Sequence, residues 1–237
     1  MTPNGTHTHT AFDEDLRRLR ALIALMGERA EAAIHEAMRC LVERDLDGAA
    51  RLVRADREID LMEAAAEDLV VRLIALRAPM ADDLRDALAA LKIVGAIERI
   101  ADYAKNIARR VKRLPAGGPI QPISLLPTMA DMAAGMVNEA LSAFAERDSA
   151  KARAVCESDD ALDDFYENIF RALLTFMMEN PRNIGPSTSL LFVAKNLERI
   201  GDHATNIAEM VYFAATGERL ALDEGDAGAR GLIRQPS

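Results

Sequence analysis

Residues 97–108 read IERIADYAKNIA, and residues 197–208 read LERIGDHATNIA. Eight of the twelve positions are identical at an offset of 100 residues. Each copy carries Glu-x-x-x-Asp-x-x-x-Asn, first as Glu98, Asp102 and Asn106, then as Glu198, Asp202 and Asn206. A spacing of four places the three oxygen-bearing side chains in one stripe along an α-helix. Two carboxylates one turn apart repel each other and weaken the helix unless a cation lies between them. A cost incurred twice at matching positions points to a function for the stripe.

The repeat extends well beyond these twelve residues. Around the first copy, Ile93, Ile97, Ile100, Ala104, Ile107 and Val111 step alternately by four and three. Val193, Leu197, Ile200, Ala204, Ile207 and Val211 do the same around the second. Such seams predict antiparallel bundles with coiled-coil-like packing. Upstream, ERDLDGA (43–49) and ERDSAKA (146–152) interrupt two helical patterns, with Asp45 placed to cap the helix that follows. Helices are expected over about 12–43, 46–77, 81–114, 125–146, from the second interruption to 179, and 187–215. On the first, Leu16, Leu19, Ile23, Met26, Ala30, Ile34, Ala37 and Leu41 share one face. PAGGPIQPIS (115–124) reads as a linker. The expected fold class is all-α: two homologous antiparallel three-helix bundles in tandem, six long helices, at 12–114 and 125–216. A disordered N-terminus (1–11) and a flexible tail (217–237) flank them.

Composition agrees with that class. Half of the 237 residues are hydrophobic, yet only 4% are aromatic and none is Trp, so the apolar volume comes from Ala, Leu, Ile, Val and Met. The formal net charge of −9 argues against non-specific nucleic-acid binding, which needs a basic face, and is compatible with cation binding. Cys40 and Cys156 have no CxxC spacing, which favours a reducing, cytosolic compartment. MTPNGTHTHT lacks a charged segment leading into an apolar run, so no signal peptide is expected. No apolar stretch approaches a membrane span, so any route to a membrane would pass through a partner.

The helix before each motif adds further carboxylates at the same spacing. Asp56 and Asp60, with Glu63 one turn on, precede the first motif; Asp159 and Asp163, with Glu167, precede the second. A hairpin turning at Pro79 sets Asp60 opposite Glu98 and Asp56 opposite Asp102. A hairpin turning between Asn180 and Pro181 sets Asp163 opposite Glu198 and Asp159 opposite Asp202. Each bundle is therefore expected to gather at least four carboxylates in a surface groove between two helices. Oxygen-only ligands suit hard or borderline cations such as Mg, Mn, Ca or Fe, with Zn less favoured for want of clustered Cys or His, although His203 lies near. A solvated acidic face is the ordinary explanation of one such pair; level-matched, duplicated pairs favour metal. A ferritin-like di-iron core is disfavoured, because neither His35 nor His203 follows a Glu by three residues. Two other classes stay open at this point: a carboxylate-bridged di-metal enzyme and a metal-free helical adaptor.

At PMADDLRDAL (79–88), IERIADYAKNIA (97–108) and LERIGDHATNIA (197–208) the sequence resembles the PhoU family of phosphate-signalling proteins. The resemblance implies two homologous three-helix bundles whose (Glu/Asp)-x-x-x-Asp motifs bind metal clusters on the bundle surface. Those motifs match Asp56/Asp60, Glu98/Asp102, Asp159/Asp163 and Glu198/Asp202, with Fe, Mn, Mg or Zn as the implied ion. The first copy departs from the second in having Ala101-Asp102-Tyr103 for Gly201-Asp202-His203, so its occupancy is expected to differ. The resemblance further implies a cytoplasmic, non-enzymatic negative regulator of the high-affinity phosphate ABC transporter and of the phosphate-starvation two-component response. Its implied partners are the transporter ATPase subunit and the phosphate-sensor histidine kinase, reached at the inner face of the membrane without insertion. A homodimer is compatible with this reading, and nucleic acid is not an implied partner.

Overall fold

The computed structural model describes residues 5–77, 79–114 and 121–220. Among the described residues there are seven α-helices: α1 (Gly5–Glu43), α2 (Leu46–Ala55), α3 (Arg57–Arg77), α4 (Asp82–Arg110), α5 (Leu126–Glu146), α6 (Ser149–Glu179) and α7 (Ile184–Thr216). Helices α2 and α3 form one rod interrupted at Asp56, whose dihedrals stay in the right-handed helical region (φ −52°, ψ −35°). There the Ile59 amide donates to the Asp56 carbonyl at 2.9 Å, a local tightening to the three-residue pattern. The six expected rods are thus present, and the second has an interruption that periodicity did not reveal. Helix α1 begins at Gly5 rather than at Phe12, so residues 5–11, expected to be unstructured, are helical. Of the expected linker, residues 115–120 lie outside the described residues, and Gln121–Leu125 is a short 3-10 helix. The expected tail lies outside them from residue 221 onward.

Local chemistry explains the breaks. Asp45 accepts a hydrogen bond from the Gly48 amide at 2.8 Å, capping α2. Asp148 accepts from the Ala150 and Lys151 amides and caps α6 in the same way. The residue before each cap, Arg44 and Arg147, sits at positive φ (59° and 55°), so the duplicated Glu-Arg-Asp makes the same left-handed exit twice. Helices α1, α3 and α4 form one bundle and α5, α6 and α7 the other. Both seams are buried from end to end, Ile93 to Val111 and Val193 to Val211.

The halves are not separate bodies. Helix α4 lies antiparallel to its own equivalent α7, with Tyr103 stacked on His203 at 5.6 Å and Arg110 over Phe192. Helix α1 lies antiparallel to α5, with Asn138 donating to Glu31 at 3.1 Å and His35 3.7 Å from Asp131. Equivalent helices meeting antiparallel relate the halves by an approximate two-fold axis, which passes near Tyr103 and His203. One continuous apolar cluster draws on both halves. Across the same boundary, buried Asp86 of α4 accepts from Arg20 of α1 and from Arg147 at the end of α5.

Candidate functional site

The edge where α3 meets α4 gathers the first acidic cluster. Asp56, at the interruption of the rod, is 10% exposed, and Asp102 on α4 is 27% exposed. Between them lies the ammonium of Lys105, donating to Asp56 Oδ2 and to Asp102 Oδ1. Burial disfavours its charge, but the two carboxylates outweigh that and hold Lys105 above the usual lysine pKa. One turn along, Glu98 is 15% exposed. Burial pushes its carboxyl above the ordinary range, and Asp102, Glu63 and Asp60 push it further against the pull of Arg99. Glu63 is raised likewise, first by burial and next by Glu67. Asp60 itself is exposed.

The edge between α6 and α7 builds the second cluster from equivalent positions and different neighbours. Asp159 is buried beside Gly201, where an added Cβ would lie 3.7 Å from Asp159 Oδ1 and 2.2 Å from Leu162 Cδ2. Gly201 therefore permits a closer approach of α7 to α6 at the place where the first half has Ala101. Glu198 is 13% exposed; its Oε1 accepts from Lys195, while its Oε2 is buried without a hydrogen bond. The Lys195 ammonium also stands 5.3 Å over the ring of Tyr166, whose hydroxyl burial holds above its usual pKa. Asp163 is half-buried and Asp202 exposed. Thr205 occupies the place of Lys105, and its hydroxyl is buried without a hydrogen bond. Beside it, burial raises the Cys156 thiol to about 12, so Cys156 is an inert packing residue.

Several expected members are placed elsewhere. Asn106 accepts from the Arg109 guanidinium at 3.2 Å and lines a different, basic cavity. Asn206 is exposed. Glu167 is exposed and lies 3.9 Å from Arg171; Tyr166, not Glu167, takes the place equivalent to Glu63. His203 turns to Tyr103 at the boundary between halves, and burial, with Arg99 adding to it, lowers its pKa. The clusters are also less open than a stripe opposite the seam suggested, since the flanking helix covers Asp56, Glu98, Asp159 and Glu198. Among the described residues, no three His, Cys, Asp or Glu side chains converge closely enough to hold a metal ion. Lys105 was the residue that the motif reading passed over, although its place between Asp102 and Asn106 left it legible as a cation able to reach both carboxylates.

The two helix hairpins that carry these clusters match known proteins as a pair. The family model described as PhoU domain matches residues 23–111 and again residues 126–211, so each match encloses one bundle and one acidic cluster. This chain belongs to the PhoU family. A phosphate-specific transport system accessory protein PhoU homolog of Zymomonas mobilis is 53% identical over 214 residues, 90% of each chain. A homolog of the same description from Rhizobium meliloti is 42% identical over 89% of this chain and 90% of its own. Among solved structures, PhoU from Pseudomonas aeruginosa superimposes with a TM-score of 0.84 at 35% identity, covering 87% of this chain and 100% of that one. The phosphate transport system regulatory protein PhoU from Streptococcus pneumoniae gives 0.83 at 26% identity, covering 89% and 100%. The all-α fold, its duplication and its family are thus established together.

Proposed function

We propose that this chain is a non-enzymatic regulatory accessory of a phosphate-specific transport system. It acts by contact at the inner face of the membrane, restraining the transporter through its ATPase subunit and helping the phosphate-sensor kinase to end its response. The observation that carries this reading is similarity over nine-tenths of the chain to relatives whose names describe that accessory role. No helix among the described residues is long and apolar enough to cross a membrane, so recruitment by a protein partner is the route consistent with the fold.

Metal belongs to this reading chiefly in the second half. Asp159, Asp163, Glu198 and Asp202 offer only oxygen donors, which suits Mg, Mn or Fe, and have to draw together to hold one, since no three of them converge closely enough as they stand. The buried Glu198 Oε2, lacking a hydrogen bond, is the group that a cation there would satisfy. A bound ion would supply the positive charge that neutralises carboxylates across the α6–α7 edge. In the first half Lys105 already supplies such a charge to Asp56 and Asp102, so a metal there has to displace it. Deleting the gene should switch on phosphate-starvation genes in phosphate-rich medium, and the Asp202→Asn and Glu198→Gln variants should restore repression only in part. A deletion strain whose phosphate uptake and starvation response match wild type refutes the regulatory reading.

A further inference from the structure

An acidic protein holds one strongly basic cavity. It measures about 710 Å³ and opens where α2, the end of α4 and α7 meet. Six cations line it: Arg54 of α2, Arg109 and Arg110 of α4, Lys112 and Arg113 of the 3-10 turn that follows (Val111–Arg113), and Arg199 of α7. Among the described residues no carboxylate lines the wall. This contrasts with the whole chain, in which 38 acidic side chains exceed 29 basic ones.

Cations near the end of α4 offset the negative end of the helix dipole, which accounts for the run from Arg109 to Arg113. It does not account for Arg54 and Arg199, which two other helices bring to the same space. Arg110 is half-buried, and burial followed by its neighbour Arg113 lowers its pKa, so the cluster repels itself. Its guanidinium stacks at 4.2 Å over Phe192, which is 48% exposed at the cavity wall. Asn106 and Asn196 add polar groups to the same wall. Concentrated positive charge in a concave site whose described wall carries no carboxylate is stabilised by a multivalent anion that offers several negative oxygens at once. The volume falls within the ordinary small-molecule range and is far larger than a single phosphate needs.

We propose that this cavity binds a linear oligophosphate, either the phosphate chain of a nucleotide or inorganic oligophosphate. Arg54, Arg110 and Arg199 from three helices, with Arg113 from the turn after α4, hold the phosphoryl oxygens, and Phe192 offers a ring on which a base can stack. The site is separate from the acidic clusters and does not depend on their metal. It gives the protein a means to read a phosphate-rich metabolite at the boundary between its two halves.

Calorimetric titration of the full chain in EDTA, at about 150 mM salt, with sodium tripolyphosphate, with ATP and with orthophosphate tests this. Tripolyphosphate or ATP should bind at one site per chain, at least about tenfold more tightly than orthophosphate. The Arg54→Ala/Arg113→Ala variant, whose side chains are exposed, should keep the wild-type circular dichroism and melting temperature while binding about tenfold or more weakly. The Phe192→Ala variant separates the two sources: a loss confined to ATP assigns the nucleotide, and an equal effect on both assigns inorganic oligophosphate. Three results overturn the proposal: no binding of tripolyphosphate or ATP, orthophosphate binding as tightly as either, or unchanged affinity in the double variant. Binding of an acidic peptide in place of these anions would also overturn it, making the cavity a protein contact.

Discussion

Replacing Lys105 with Thr, the residue at the equivalent place in the second half, isolates the difference between the two acidic clusters. The ammonium makes hydrogen bonds to two carboxylates that are 10% and 27% exposed. Hydrogen bonds to charged groups contribute about 1.5–3 kcal/mol each when well buried. Partial exposure of this pair lets water compensate, so the joint loss is set at about 2 kcal/mol. For a chain of this size that lowers the melting temperature by about 4–8 °C. The sign with pH follows from the raised lysine pKa. The stabilisation is fully present below the unfolded value of 10.5 and is lost as pH rises through the higher folded value, so wild type and variant should converge only in strong alkali. Melting followed by circular dichroism in EDTA at pH 7 measures the loss. Adding Mn²⁺ should restore it in the variant, because a ligand at a hundred times its Kd stabilises the folded state by about 2.7 kcal/mol. An unchanged melting temperature in EDTA would refute the view of Lys105 as a built-in cation, and failure of Mn²⁺ to raise it would refute the view that Lys105 excludes metal.

Two further outcomes follow from buried carboxylates. Glu98→Gln should raise the melting temperature in EDTA at pH 7, by an amount that shrinks as pH falls toward 4.5. A carboxyl whose folded pKa is raised favours folding only when protonated and loses that contribution as pH rises through the folded value. Paired melts at the two pH values check it, and a destabilised variant at pH 7 would contradict it. Asp86→Asn should cost less than about 1 kcal/mol in urea unfolding although it removes two ion pairs, because burial pushes this carboxyl up more than Arg147 and Arg20 pull it down. A loss above about 3 kcal/mol would mean that the charges, not their desolvation, decide.

The motif copies, the four-three seams and the paired Glu-Arg-Asp breaks were enough, read along the chain, to specify an all-α protein made of two like bundles. Each of these signals is local: a cap acts within three residues, and a seam is a spacing on one helix. The hairpin centres at Pro79 and at Asn180–Pro181 were legible for the same reason, since a proline cannot continue a helix that runs into it, although the first turn of a new helix accepts one, as at Pro127 and Pro186. The level match of Asp56 with Asp102 followed from the same hairpin centre; that the Lys105 ammonium, donating to both, stands between them was decided by the packing of α3 on α4. The antiparallel docking of α4 on α7 and of α1 on α5 depends on a two-fold relation that no single helix encodes. Stacking of Tyr103 on His203, and the gathering of Arg54 and Arg199 around the basic end of α4, follow from that docking alone. What the sequence determined was which faces are apolar and where helices end, because those are matters of spacing and backbone chemistry. Which charges meet across the molecule was decided by tertiary packing, because burial of the seams sets the depth and register at which side chains from distant segments face one another.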